Sequence, residues 1–140
     1  MTTVVDTNAI AALWDRDDAL NAAAQFALDA ALGRGNLVAP ARVYAELMAF
    51  AGRTESFLDS FFRQTSIAVD WSLEERVWRA AGQAFQDYAA RRRKQRDSGS
   101  RRILADFLIG AYAARNGYAL LTLDEGLYRA AFPALRIVTA

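Results

Sequence analysis

Four carboxylates stand where carboxylates are costly. Asp6 ends the apolar run TTVVD, Glu46 lies in VYAELMAF, Asp106 in ILADFLIGAY, and Asp124 ends LLTLD. Other acids, such as Asp15, Asp17, Asp18, Glu55, Asp59, Glu74, Glu75, Asp87 and Asp97, fall where solvated acids belong. Asp29 also has apolar neighbours, but most are alanines that a solvent face tolerates. Val43, Glu46, Leu47 and Phe50 fall at i, i+3, i+4 and i+7, and Ile103, Asp106, Phe107 and Gly110 repeat the spacing. Each acid therefore sits in an apolar stripe of a helix. An ionised carboxylate alone in such a face protonates or takes a partner. The chain has no histidine and no cysteine, and Lys94 is its only lysine. The partners on offer are arginine or a divalent cation held by oxygen, which selects hard ions such as Mg²⁺ or Mn²⁺.

The same absences exclude other chemistry. There is no imidazole base, no Ser-His-Asp triad, no thiolate nucleophile, no disulfide and no structural zinc site of the usual kind. Lys94 lies in RRRKQR, not after a glycine-rich turn, so there is no P-loop, and Gly33 and Gly35 lack the third glycine of a dinucleotide loop. Each acid also has a plain structural reading. Asp6 and Asp124 could cap the helices that follow them. Glu46 could pair with Arg42, and Asp106 with Arg102, each at i−4. Jointly, two acids at strand ends and two on helix faces make a less accidental set than any one alone.

The elements that position them alternate. Short apolar strands are expected at 2–5, 37–39, 66–71, 119–123 and 136–139. Helices are expected at 8–14, 17–32, 42–51, 54–62, 72 to about 93, 100–116 and 125–132. Ser72 with Glu75 reads as a capping box, and Gly117 as a helix C-cap. Continuous apolar strands separated by helices predict a parallel sheet covered on both faces. Ligands of such folds bind outside the carboxyl ends of the strands, where the strand order reverses. The length of 140 residues, 54% hydrophobic and 24% charged, fits one globular domain over 1–140. The longest apolar stretch, 37–52, is broken by Arg42 and Glu46, and MTTVVDTN is no signal peptide. The expected compartment is the cytoplasm, without a membrane.

VVDTNAI at the N-terminus, PARVYAE after a short strand, ADFLIGA, and LLTLDEGLY near the end together resemble a PIN-domain ribonuclease. In length the chain is similar to the VapC-type toxin of a VapBC toxin–antitoxin pair. The resemblance covers essentially the whole chain. It implies a three-layer α/β/α sandwich with a five-stranded parallel sheet in the order 3-2-1-4-5. It places the family's acidic quartet on Asp6, Glu46, Asp106 and Asp124, and supporting polar positions on Thr7, Asn8 and Thr122. It further implies an endoribonuclease dependent on Mg²⁺ or Mn²⁺, acting on tRNA or ribosomal RNA and leaving 5′-phosphate and 3′-hydroxyl ends. An antitoxin partner and a homodimer are implied as well. One or two such ions neutralise a phosphodiester's charge, lower the pKa of a bound water and orient in-line attack. Two features depart from the pattern: the region before the third acid is unusually basic, and Glu125 directly follows Asp124 as a further possible ligand.

That basic region holds Arg91, Arg92, Arg93, Lys94, Arg96, Arg101 and Arg102, seven of the seventeen basic residues. It reads either as a grip on RNA phosphates or as a solvated helix end. Trp14, Phe26, Phe50, Phe57, Phe61 and Phe62 read mostly as core, with a few free to form a patch for a partner. A dehalogenase-like phosphatase would need a second aspartate at Asn8 and a later lysine, and a receiver domain a lysine near a late strand. A PIN-like domain that binds RNA or protein without cutting is the remaining alternative; it predicts a missing acid.

Overall fold

The computed structural model describes residues 1–95 and 102–139. In chain order the elements are β1 (Thr2–Val5), α1 (Thr7–Trp14), α2 (Asn21–Arg34), β2 (Asn36–Pro40), α3 (Ala41–Leu47) and α4 (Glu55–Thr65). There follow β3 (Ile67–Asp70), α5 (Glu75–Gln95), α6 (Leu104–Asn116), β4 (Ala119–Thr122), α7 (Glu125–Ala131) and β5 (Ile137–Thr139). The strands form one parallel sheet in the order β3-β2-β1-β4-β5. The expected parallel sheet and its order are both found.

That order fixes the layers. The chain steps from β1 out to β3, crosses back to β4, then steps on to β5. Right-handed crossovers in opposite directions lie on opposite faces. Accordingly α1 packs on α2 and α3, while α5 packs on α6 and α7. Val4, Val5, Leu37, Leu120 and Leu121 of the central strands are buried between the layers, with Ile10, Val43, Leu47, Phe107 and Ile109 from the helices. Their unbroken apolar runs follow from a sheet covered on both faces. No helix among the described residues is long and apolar enough to cross a membrane.

Several boundaries differ from the sequence reading. Helix α2 starts at Asn21, not at 17, because the Asp15 and Asp18 carboxylates accept the backbone N–H groups of Asp17 and Leu20 and hold a turn there. Helix α3 stops at Leu47 instead of 51, and Gly52 supplies a left-handed turn at φ +75°. Ser72 caps nothing. Its N–H and hydroxyl both donate to Asp70 Oδ1, and α5 starts only at Glu75. The expected helix start at Ser100 lies outside the described residues; α6 begins at Leu104. Gly117 does close α6 in the left-handed region.

Gly110 of α6 faces α7 at close range. A Cβ there would run into the Phe132 ring and come within 3.0 Å of Tyr128 Cδ1. At Gly82 of α5 a Cβ would meet nothing within 4 Å. Opposite signs follow. Gly82→Ala is expected to stabilise by about 0.5–1 kcal/mol through helix propensity. Gly110→Ala is expected to destabilise by about 1–2 kcal/mol, overpacking outweighing propensity. Urea denaturation of the pair checks this, and a stabilised Gly110→Ala would contradict the packing.

Candidate active site

The parallel register brings two of the acids to one edge. Val5 of β1 pairs with Leu121 of β4, so the next residues, Asp6 and Thr122, lie side by side. The Asp6 N–H donates to the Leu121 carbonyl at 3.0 Å and extends that pairing. The chain then turns into α1, and Asp6 caps it: Oδ1 accepts the Thr7 N–H at 2.7 Å. Its other oxygen accepts the Thr122 hydroxyl at 2.8 Å and the Tyr128 phenol at 3.0 Å. Asp6 is 6% exposed. Burial pushes its carboxyl above the ordinary range, against the lowering effect of these hydrogen bonds. Burial first, and the Asp6 charge second, push the Tyr128 phenol far upward, so Tyr128 stays a proton donor.

Thr122, Asn8 and Thr7 hydrogen-bond around the acids. The Thr122 hydroxyl, while donating to Asp6, accepts the Asp124 N–H at 3.0 Å and Asn8 Nδ2 at 3.4 Å. Asn8 Oδ1 accepts the Leu123 N–H at 3.0 Å, which ties α1 to the end of β4. The Thr7 hydroxyl donates to Glu46 Oε1 at 2.7 Å and joins the start of α1 to α3.

The remaining acids are engaged by arginine. Glu46 Oε1 pairs with Arg42 at 2.7 Å, one helical turn back on α3. A second nitrogen of Arg42 lies 3.9 Å from Asp106 Oδ1, while Asp106 Oδ2 accepts the Ile103 N–H at 2.9 Å at the start of α6. Asp124 Oδ2 pairs with Arg102 at 2.9 Å. Two of the plain readings are therefore real: Asp6 is a cap, and Glu46 pairs with Arg42. Two are corrected. Arg102 precedes the start of α6, so helical i−4 spacing does not apply to it, and it turns to Asp124 instead of Asp106. Asp124 makes no cap bond to α7 with its side chain.

All four acids line one cleft of about 740 Å³, together with Thr7, Asn8, Arg42, Arg102 and Tyr128. It opens beside the ends of β1 and β4, where the strand order reverses, the position expected for a ligand site. Glu125 is exposed and pairs with Arg129 at 3.3 Å. Among the described residues, no group of three or more acids is placed to hold one ion as the side chains stand. The donor chemistry nonetheless fits a hard dication: four carboxylates and neighbouring hydroxyls, with no nitrogen or sulfur ligand. Buried Asp6 is hydrogen-bonded by neutral donors alone, and the Arg42 charge acts on it only weakly.

Sequence reasoning missed Tyr128. Spacing does not mark it: Asp124 lies before the start of α7, and Tyr128 meets Asp6, 122 residues away, only through the fold. The basic run divides. Helices α5 and α6 run antiparallel, Arg76 donating to the Arg115 carbonyl at one end and the Tyr88 hydroxyl accepting the Arg102 N–H at the other. The last turns of α5 thus come next to the acids. Arg91, Arg92 and Arg102, with Tyr88 and Gln95, line a groove of about 210 Å³ that shares Arg102 and Leu127 with the cleft. Arg93 and Lys94 are exposed in the last turn of α5. Arg96 and Arg101 lie outside the described residues.

The aromatic residues divide too. Phe62 is core, and Trp14 meets Phe50, Phe57 and Phe61 edge-on at 5.9, 5.6 and 5.4 Å. Phe26 is not core: it is 78% exposed. Helix α2 packs through Ala24, Ala27 and Ala31, whose small side chains leave Phe26 on the outer side.

Together these features define a parallel α/β protein with a carboxylate-lined cleft at its strand-order reversal. The family model of the PIN domain matches residues 3–133, and the chain belongs to that family. Its fold is similar to that of VapBC-1 from nontypeable Haemophilus influenzae, at 17% identity and a TM-score of 0.63, over 98% of this chain and 96% of that one. It is also similar to VapBC2 from Rickettsia felis bound to a promoter DNA fragment, at 16% identity and TM-score 0.64, over 99% and 98%. FitAcB from Neisseria gonorrhoeae is similar at 19% identity and TM-score 0.63, over 96% and 95%. No curated protein matches the sequence significantly.

Proposed function

We propose that this chain is a metal-dependent endoribonuclease and the toxin of a type II toxin–antitoxin pair. The observation that carries the reading is the convergence of Asp6, Glu46, Asp106 and Asp124, from four separate parts of the chain, on one cleft. Mg²⁺ or Mn²⁺ held by these acids would neutralise the phosphodiester and supply an activated water. The chain's own groups do the positioning. Tyr128 and Thr122 fix the Asp6 carboxylate, Thr7 fixes Glu46, and Asn8 and Thr122 fix the loop that carries Asp124. The Arg91–Arg92–Arg102 groove continues the cleft and offers positive charge to the phosphates of a bound strand. Leu20, Phe26 and Leu32 on and beside α2, and Met48 and Phe50 after α3, are exposed apolar side chains suited to an antitoxin or to a second copy of the chain. Partnered relatives of the same fold support the antitoxin.

The test is incubation of the partner-free chain with tRNA and ribosomal RNA in Mg²⁺, Mn²⁺ or EDTA. Cleavage in either metal, lost in EDTA and leaving 5′-phosphate ends, is expected. RNA binding without cleavage in any condition would favour the binding-only alternative, for which the arginine pairs on the acids are the one supporting observation. The groove makes its own prediction. Neutralising Arg91 and Arg92 should weaken RNA binding across sequences and reduce the slope of log K against log salt by about 1–2. Filter binding between low and moderate salt measures this, and an unchanged slope removes the groove from the RNA path.

A further inference from the structure

Arg42 occupies an unusual position. It rises from the first turn of α3 into the cleft, and its side chain is 18% exposed. One terminal nitrogen lies on Glu46 at 2.7 Å, and the other is turned to Asp106 at 3.9 Å. Its Nε is buried and has no hydrogen-bond partner among the described residues. A guanidinium carries its donors in a fixed fork, best satisfied by one planar anion. Here the fork is stretched between two acids on different helices, with one donor unmet. The acids beside it are in turn placed so that no three serve one ion among the described residues. Arg42 engages two of the four acids, and Arg102 a third.

We propose that Arg42 is the built-in counter-ion of this cleft. It neutralises Glu46 and Asp106 while the cleft is empty, must leave them when a divalent cation binds, and so sets the metal affinity. The inference rests on the metal-dependent reading above. A cation and a guanidinium cannot both sit against the same carboxylate oxygens, and between partly buried groups their repulsion is weakly screened. Sequence supplies the device cheaply. Placing arginine four residues before Glu46 on one helix holds the pair in register. Arg102 on Asp124 is a looser version, both partners being more than a third exposed.

The test is Mn²⁺ titration of the RNA-free chain, followed by electron paramagnetic resonance, for wild type and Arg42→Gln. Removing the competing charge is expected to tighten Mn²⁺ binding about tenfold or more. The metal should also raise the thermal midpoint further in the variant than in wild type. A second readout needs no variant. In the ¹⁵N spectrum of wild type, the Arg42 Nε–H resonance is expected to move on saturation with Mg²⁺. Should Arg42→Gln not fold, Arg42→Met, which keeps the apolar stem and carries no charge, makes the same comparison. Equal or weaker Mn²⁺ binding by the variant, with wild type binding normally, overturns the counter-ion role alone. No Mn²⁺ binding by either protein overturns this inference and the metal-dependent reading together.

Discussion

Asp6→Asn is expected to reduce metal-dependent RNA cleavage by roughly 10³-fold or more while the chain folds as well as wild type. The two halves of that result have different causes. Asn keeps the shape of Asp and is equally good at a helix N-cap, so the bond to the Thr7 N–H survives. The new amide can donate to the Tyr128 oxygen, and only the Thr122 hydroxyl, which already accepts from Asp124 and Asn8, loses its acceptor. What is lost is a buried negative charge, which costs the metal-free fold stability because burial opposes it. The pH dependence follows in sign. The folded-state pKa of Asp6 lies above the unfolded value, so the advantage of its protonated form is complete below the ordinary aspartate pKa. That advantage is lost as pH rises through the folded pKa. In EDTA, wild type should therefore fall behind Asp6→Asn in stability as pH rises from about 4. Urea denaturation across pH gives the difference curve. A variant that is clearly destabilised at neutral pH yet still cleaves RNA would make Asp6 a cap and nothing more.

Phe107→Ala should be the most damaging truncation in the core. Phe107 is fully buried and packs on Phe85 and Tyr88 at 5.3 and 5.4 Å between ring centroids, so it pins α6 to α5. Removing it leaves a cavity and is expected to cost about 3–5 kcal/mol. That is a large part of the roughly 5–15 kcal/mol that holds a domain together. The effect also reaches the cleft. Asp106 is the neighbour of Phe107, and the Tyr88 hydroxyl holds the backbone N–H of Arg102, which pairs with Asp124. Cleavage should therefore fail at a lower temperature than in wild type, with the thermal midpoint down by on the order of 10 °C. Phe26→Ala, on the exposed side of α2, is the control and should change stability by less than about 0.5 kcal/mol. Similar losses at both positions would contradict the burial of α6.

Much of the site was legible because its signals are local. Asp6 and Asp124 stand out at the ends of apolar runs, and Glu46 and Asp106 break helical stripes. A sheet whose strands are parallel must deliver strand-end residues to one edge, which is where Asp6 and Asp124 meet. The partners were less legible because they depend on register between distant segments. Arg102 looked like a partner of Asp106 only while a helix was expected from 100 onward; with α6 starting at Leu104 it is free to reach Asp124. Arg42 was seen as a neighbour of Glu46, but its approach to Asp106 joins α3 to α6 across the sheet edge, which spacing along the chain does not encode. Tyr128 reaches Asp6 from the far side of β4 for the same reason. Ser72 shows the reverse error, a capping pattern whose hydroxyl is taken by a nearer acceptor, Asp70.

The proposed function stands on Asp6, Glu46, Asp106 and Asp124 holding the divalent cation. Crystals soaked in Mn²⁺ and measured at the manganese absorption edge test it most directly. Anomalous density touching Asp6 and Asp106, with Glu46 or Asp124 completing the site and the peak absent from Asp6→Asn crystals, is the predicted result. Manganese bound elsewhere in chains that cleave RNA, or undiminished in Asp6→Asn crystals, would contradict it.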